Sequence, residues 1–166
     1  MPISGSQCNE IFSDFLACAR FGEFEDLRNF QEIQNLAESQ DSLTGNTALM
    51  FASANGHLEI VSWLLEISRS ALNAQNSSGN TALHWASLNG QTLVVAALLH
   101  AGASADLRNS SGERPFDEAV KRNAFPEICE LLARATSFDE DAEAARMAED
   151  AGVKMIVSDE GSDVEP

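Results

Sequence analysis

Apolar residues recur at helical spacing in two pairs of short segments in the middle of the chain. The first segment of each pair, residues 47–56 and 81–90, carries apolar side chains at positions i, i+1 and i+4, which lie on one face of a helix. The second segment, residues 58–66 and 92–100, carries four larger apolar side chains at similar spacing. A glycine ends the first segment each time, as is common at the end of a helix. The pattern predicts two pairs of short helices, each joined by a tight turn.

The first helix of each pair belongs to a twelve-residue motif that occurs twice. It reads Gly-Asn-Thr-Ala-Leu-Met-Phe-Ala-Ser-Ala-Asn-Gly at residues 45–56 and Gly-Asn-Thr-Ala-Leu-His-Trp-Ala-Ser-Leu-Asn-Gly at residues 79–90, 34 residues later. A weaker third copy begins at Gly112, 33 residues after the second. We expect the hydroxyl groups of Thr47 and Thr81 to cap the helices. A period of this length predicts a stacked array of repeats.

The motif resembles the ankyrin repeat. Two signatures of that family, Thr-Pro-Leu-His and Gly-His-Leu-Glu-Ile-Val-x-x-Leu-Leu, are present as Thr-Ala-Leu-His at residues 81–84 and Gly-His-Leu-Glu-Ile-Val-Ser-Trp-Leu-Leu at residues 56–65. The resemblance implies an all-α solenoid of about four helix-turn-helix units with short turns projecting from it. It also implies that His84 bonds between adjacent turns. The signature proline is present only as Pro115, in the last unit, which indicates a terminal repeat with one neighbour.

We predict three segments along the chain. A flexible N-terminus covers residues 1–8, an ankyrin-repeat domain covers residues 9–135, and an acidic, disordered tail covers residues 136–166. In the first unit the turn signature is absent, but the apolar spacing predicts helices at about residues 9–20 and 24–34. The four predicted units are residues 9–41, 42–75, 76–108 and 109–135.

The charge of the chain points to a basic partner. The chain has 26 acidic and 10 basic residues and a net charge of −16, which argues against nucleic acid or an anionic membrane as its ligand. No signal peptide is apparent, and the longest apolar run, residues 93–99, is too short to cross a membrane. Cys8, Cys18 and Cys129 are odd in number and lack zinc-site spacing, so we expect buried thiols in a reducing compartment.

Residues just before each helix-ending glycine predict a concave surface. Trp85, Leu88 and Asn89 share one face of their helix, where the ankyrin family has variable, outward-facing positions. The corresponding residues of the preceding units include Phe51 and Phe21. The aromatic rings either anchor a partner's apolar side chains or pack sideways against neighbouring helices. The candidate groove residues are Phe21, Phe51, Asn55, Trp85, Leu88 and Asn89.

Acidic side chains of the first unit and of the tail are candidates for electrostatic contact with a partner. In the first unit they form either a solvated cap alone, which a repeat array needs for solubility, or a cap that is also a binding surface. The candidate acidic residues are Glu10, Asp14, Glu23, Glu25, Asp26, Asp139, Glu140 and Asp141.

No catalytic constellation is apparent in the sequence. His57, His84 and His100 fall at repeat positions, and no serine or cysteine occurs with a histidine and an acid in a recognisable motif. The glycines recur as turns and helix ends, and do not form a phosphate-binding loop. We therefore predict a binding protein that is not an enzyme and has no cofactor and no metal site.

The motif at residues 79–90, the short array before it and the acidic tail after it resemble the fungal family of ankyrin-repeat chaperones of ribosome biogenesis. The resemblance implies that the chain, as a monomer in a 1:1 complex, holds a newly made basic ribosomal protein, the KH-domain protein of the small-subunit head. It implies a location in cytoplasm and nucleus. Two alternatives remain open, an ankyrin inhibitor or adaptor that masks a transcription factor or kinase, and a scaffold subunit of a larger assembly.

Overall fold

The computed structural model describes residues 5–30, 33–122 and 125–136, and this part of the chain is helical and contains no strand. The predicted all-α fold is confirmed. Cys8 lies in the first helix, and the predicted tail lies outside the described residues. The helices are α1 (Gly5–Phe21), α2 (Phe24–Arg28), α3 (Ile33–Glu38), α4 (Ala48–Asn55), α5 (Leu58–Ile67), α6 (Ala82–Leu88), α7 (Thr92–His100), α8 (Pro115–Arg122) and α9 (126–136).

The helices form two layers. In the inner layer α1, α4, α6 and α8 lie side by side in that order, each in contact with the next. In the outer layer α3 contacts α5, and α5 contacts α7. A short turn joins α4 to α5 and α6 to α7, so these pairs pack across the two layers. This is the stacked arrangement of helix pairs that the repeat period predicted.

Small side chains set the spacing of the inner layer, and large ones fill the space between the layers. Ala48 and Ala52 of α4 and Ala82 and Ala86 of α6 are fully buried, which lets these short helices approach one another closely. Leucine, isoleucine and phenylalanine side chains form a single continuous core with them. Its largest fully buried members include Phe15, Leu27, Leu49, Ile60, Leu83, Leu98, Ile128 and Leu132.

The predicted threonine caps begin both α4 and α6, and the predicted glycine ends α4, whereas Asn89 is the C-cap of α6. The Thr47 hydroxyl accepts a hydrogen bond from the Met50 amide at 3.3 Å, and the Thr81 hydroxyl is the corresponding cap of α6. Gly56 ends α4 with φ of +79°, in the left-handed region. The backbone conformation favours glycine there, and a Cβ atom at Gly56 would also displace the end of the Gln91 side chain of the next unit.

Asparagine side chains connect the turns of adjacent units. The Asn76 side-chain amide donates to Oδ1 of Asn46 at 2.7 Å, and the Asn109 amide donates to Oδ1 of Asn80 at 3.0 Å. Oδ1 of Asn76 in turn accepts from the backbone amides of Ser78 and Asn80, which closes its own turn. Each turn is therefore fixed to the turn of the preceding unit.

His84 has the structural role that the family resemblance implied. Its Nδ1 accepts a hydrogen bond from the Thr81 amide at 3.2 Å, and its Nε2 lies 3.0 Å from the Glu113 carbonyl oxygen. With Nδ1 as acceptor, Nε2 carries the proton and donates to that carbonyl. Burial lowers the pKa of His84, although the bond to Glu113 and the nearby carboxylates of Asp117 and Glu113 oppose this effect. A neutral His84 thus joins the third unit to the fourth.

The first unit differs from the sequence prediction at both of its helices. α1 begins at Gly5, so residues 5–8 extend the helix that was predicted to start at residue 9, and no proline or glycine interrupts it before Gly22. The single helix predicted at residues 24–34 was wrong, because α2 ends at Arg28 and α3 begins at Ile33.

Asn29, a poor helix former, caps the end of α2. The chain then turns so that the Phe30 ring packs edge-on against Phe15, with ring centroids 5.5 Å apart. A ring contact with α1 therefore lies at the point where the predicted helix is interrupted.

Candidate protein-binding groove

Two adjoining depressions lie on the inner layer of helices. The central depression, of about 260 Å³, is lined by Arg20, Asn46, Met50, Phe51, Ala54, Asn55 and Trp85. The N-terminal depression, of about 250 Å³, is lined by Ser13, Leu16, Ala17, Arg20, Phe21, Asp41 and Phe51. Because Arg20 and Phe51 line both, the two depressions are continuous across α1, α4 and α6. We call them together the groove.

The structure brings four of the six candidate groove residues together. Phe21, Phe51, Asn55 and Trp85 all line the groove, and the Phe21 side chain is the most exposed ring among them at 66%. Leu88, the last residue of α6, and Asn89, its C-cap, line neither depression. A role in partner binding stays a prediction for all six.

Trp85 combines the two arrangements that the sequence left open, whereas Phe51 lines both depressions. Both side chains are half-buried, and Trp85 packs against the core while it lines the central depression. Its indole nitrogen is buried and donates to no acceptor among the described residues. The ring therefore offers the groove an apolar surface and not a hydrogen-bond donor.

Two charged residues of the groove, Arg20 and Asp41, were not among the candidate contacts. The Arg20 guanidinium lies 5.8 Å from the centroid of the Phe21 ring. Oδ2 of Asp41 accepts hydrogen bonds from the Thr44 hydroxyl at 2.5 Å and the Thr44 amide at 2.9 Å, and these bonds lower the pKa of the Asp41 carboxyl. Arg20 lies three residues after Ala17 on α1, so helical spacing could have placed it in the groove. Asp41 reaches the groove through a turn, whose position the sequence pattern does not predict.

The five acidic candidates of the first unit, Glu10, Asp14, Glu23, Glu25 and Asp26, are all exposed. Three of them, Asp14, Glu23 and Asp26, surround the buried thiol of Cys18, and we call these three the acidic patch. Burial, with a hydrogen bond and negative charge from Glu23 and further charge from Asp26 and Asp14, raises the pKa of Cys18 to about 11. Asp14 lies next to the groove, because Ser13 and Ala17 of the same helix line the N-terminal depression. Asp139, Glu140 and Asp141 lie outside the described residues.

Within residues 5–30, 33–122 and 125–136, no group of three or more histidine, cysteine or acidic side chains is placed to hold a metal ion. The same part of the chain contains no helix long and apolar enough to cross a membrane. What the described surface offers a ligand is an apolar groove with two charged side chains in it and an acidic patch beside it.

Comparison with known proteins identifies the family. The family description "Ankyrin repeats (3 copies)" matches residues 15–109. Among solved structures, a chain in the crystal structure of the yeast ribosomal protein Rps3 in complex with its chaperone Yar1 is 33% identical to this chain, with a TM-score of 0.68. The similarity covers 78% of this chain and 92% of that chain.

A comparison with curated proteins found no match. The solved structure is that of a chaperone bound to a ribosomal protein. The repeat motif, the two-layer stack and the family match agree, and this chain belongs to the ankyrin-repeat family.

Proposed function

We propose that this chain is a dedicated chaperone for one newly made, basic ribosomal protein, the KH-domain protein of the small-subunit head. In this proposal one monomer binds one client and keeps it soluble until it joins the pre-ribosome. The observation that carries the proposal is the 33% identity to a chain in the complex of yeast Rps3 with its chaperone Yar1, over nearly the full length of that chain.

Charge supports a basic client. A ribosomal protein away from the ribosome exposes basic surface that normally contacts RNA, and it aggregates or binds other polyanions unless that surface is screened. A chain with a net charge of −16 attracts such a protein over distances of about a Debye length and repels nucleic acid. The chaperone therefore needs no direct contact with RNA.

The groove supports a helical client segment. Its apolar wall is formed by Phe21, Phe51 and Trp85 on three neighbouring helices, and an amphipathic helix places apolar side chains along one face at comparable intervals. In the proposed complex these rings provide most of the affinity, whereas the acidic patch raises the association rate.

The proposed client sets the proposed location. Ribosomal proteins are made in the cytoplasm and join precursors in the nucleus, so a chaperone that holds its client until assembly acts in both. Imaging of the tagged chain is expected to give signal in both compartments, and strict exclusion from the nucleus would limit the chaperone to the cytoplasmic step.

Co-expression tests the proposed function directly. Yeast Rps3 is produced alone or with this chain, and the soluble fraction is measured and purified on a tag carried by the chain. We expect the chain to raise the soluble amount of Rps3 and to elute with it in a 1:1 complex. If Rps3 stays insoluble, and the chain purified from cells instead recovers a transcription factor or kinase, the chain is an inhibitor or adaptor and the proposal is wrong.

A further inference from the structure

The N-terminal depression contains opposite charges that do not neutralise each other. Arg20 and Asp41 both line it. Among the described residues, the ion pairs are formed by Arg114, Lys121 and Arg134, and neither Arg20 nor Asp41 takes part in one. Both charges are therefore available to an occupant of the groove.

Neighbouring groups fix the backbone of Arg20 and the side chain of Asp41. The Arg20 carbonyl oxygen bonds to Nε2 of His57 at 2.9 Å, which fixes the end of α1, and the guanidinium lies against the Phe21 ring. The Asp41 carboxylate is fixed by its two bonds to Thr44. The Asp41 carboxylate is thus fixed in the groove, whereas the exposed Arg20 guanidinium is anchored only through its backbone and through the neighbouring Phe21 ring.

An occupant of the groove removes water from both charges. Covering an unpaired charge costs free energy, and an oppositely charged group on the occupant offsets that cost. Arg20 lines both depressions, so an occupant of either one covers part of its guanidinium. A segment with only basic and apolar side chains would place a cation against Arg20 and be disfavoured.

We infer that the client segment bound in the groove carries an acidic side chain that pairs with Arg20, next to a basic side chain that pairs with Asp41. This inference rests on the proposed function and refines it, because a client that is basic overall must present one acidic residue at this point. Arg20 is then a specificity determinant. It lets a strongly acidic protein select one segment and reject other basic polypeptides, which charge attraction alone would not distinguish.

A panel of synthetic peptides tests the inference. Each peptide is a twenty-residue amphipathic helix, and all peptides have the same apolar face and the same composition. They differ in the position of one glutamate beside the apolar face, which exchanges places with a different lysine in each peptide. Fluorescence anisotropy measures binding of each peptide to the full chain. We expect the wild-type protein to bind the peptides with glutamate at one register about tenfold more tightly than the rest.

Variants that reverse the charge of Arg20 or remove the charge of Asp41 show which residue causes the preference for glutamate. Arg20→Glu is expected to abolish the preference for glutamate at that register and to favour the peptide with lysine there, and Asp41→Asn to weaken binding of the preferred peptide several-fold. Arg28→Glu is the matched control, because Arg28 also lies over an aromatic ring, at 5.5 Å from the Phe24 centroid, but outside the groove. Thermal unfolding of each variant verifies that it is folded.

Two results overturn the inference: no register at which glutamate is preferred, or a preference that Arg20→Glu leaves unchanged. Binding of full-length Rps3 to the wild-type chain is measured in parallel. If Rps3 binds while glutamate position has no effect, only the inference fails. If the peptide preference reverses as expected while Rps3 does not bind, the proposed function fails and the assignment of Arg20 stands.

Discussion

Trp85 has two environments, because its ring packs against the core and also lines the central depression. A large, rigid, half-buried aromatic side chain in a concave surface is typical of the residues that dominate binding energy. At the scale of single residues, we therefore expect the rings to set the lifetime of the proposed complex and the charges to set its rate of formation.

The substitution Trp85→Ala is expected to raise the dissociation rate of Rps3 about thirtyfold, which corresponds to a loss of about 2 kcal/mol of binding free energy. The association rate is expected to change little. Stopped-flow or surface-based kinetics measure both rates. Trp63→Ala is the control, since Trp63 is also half-buried but lies on α5 in the outer layer, with its ring 5.6 Å from that of Phe24. An equal effect of the two substitutions would remove Trp85 from the binding site.

His84 makes the stability of the array depend on pH. Its pKa is lowered from 6.5 in the folded chain, so the unfolded chain takes up the proton first as the pH falls. The stabilisation that neutral His84 gives to the folded chain is complete above about pH 6.5. It is lost as the pH falls towards the pKa of His84 in the folded chain.

His84→Gln is expected to flatten the pH dependence of the free energy of unfolding below that value, measured by urea denaturation from pH 8 to pH 5. Glutamine suits this position of the helix cap, and other titrating groups are shared by both proteins. The expectation fails if wild type and variant lose the same free energy over this range.

At the scale of elements, the stacking of turns explains why the units hold their register. Gly79 and Gly112 occupy equivalent turn positions with φ of +74° and +79°. A Cβ atom on Gly79 would lie 2.8 Å from the Ser110 amide nitrogen and 2.9 Å from Asn109 Cα, both backbone atoms of the next unit, whereas nothing lies within 4 Å of a Cβ on Gly112.

Gly112→Ala is expected to cost about 1 kcal/mol, the strain of alanine in the left-handed region, and Gly79→Ala about 3 kcal/mol because the backbone of the next unit must also move. Chemical denaturation of the two variants measures the difference. Equal losses would mean that the turns do not pack as described.

The elements that sequence reasoning predicted best are those with local determinants. α4 to α7 follow from threonine caps, apolar spacing and helix-ending glycines, which each act within a few residues. The break between α2 and α3 was missed because the contact made there, between Phe30 and Phe15 of α1, joins residues that are distant in the sequence.

The same distinction applies to the site. Phe51 and Trp85 were found because helical spacing sets the direction of their side chains. Asn89 lines neither depression, because α6 ends at Leu88 and helical spacing no longer applies beyond it. Asp41 was not a candidate, since its place in the groove depends on how a turn folds back towards α1.

At the scale of the whole molecule, charge acts at a distance that no single contact reaches. Neutralising the acidic patch with Asp14→Asn, Glu23→Gln and Asp26→Asn is expected to lower the association rate with Rps3 several-fold at low salt and to leave the dissociation rate nearly unchanged. Raising the salt concentration should reduce the difference between variant and wild type. A salt-independent association rate would show that the acidic charge has no part in capture.

The proposed function requires the client to bind to the inner layer of helices. A photo-reactive phenylalanine derivative at Phe51, in the groove, is compared with the same derivative at Leu93, which is 70% exposed on α7 of the outer layer. After illumination of each complex with Rps3, we expect a strong cross-link from position 51 and none from position 93. Cross-links from position 93 with none from position 51 would contradict the proposal.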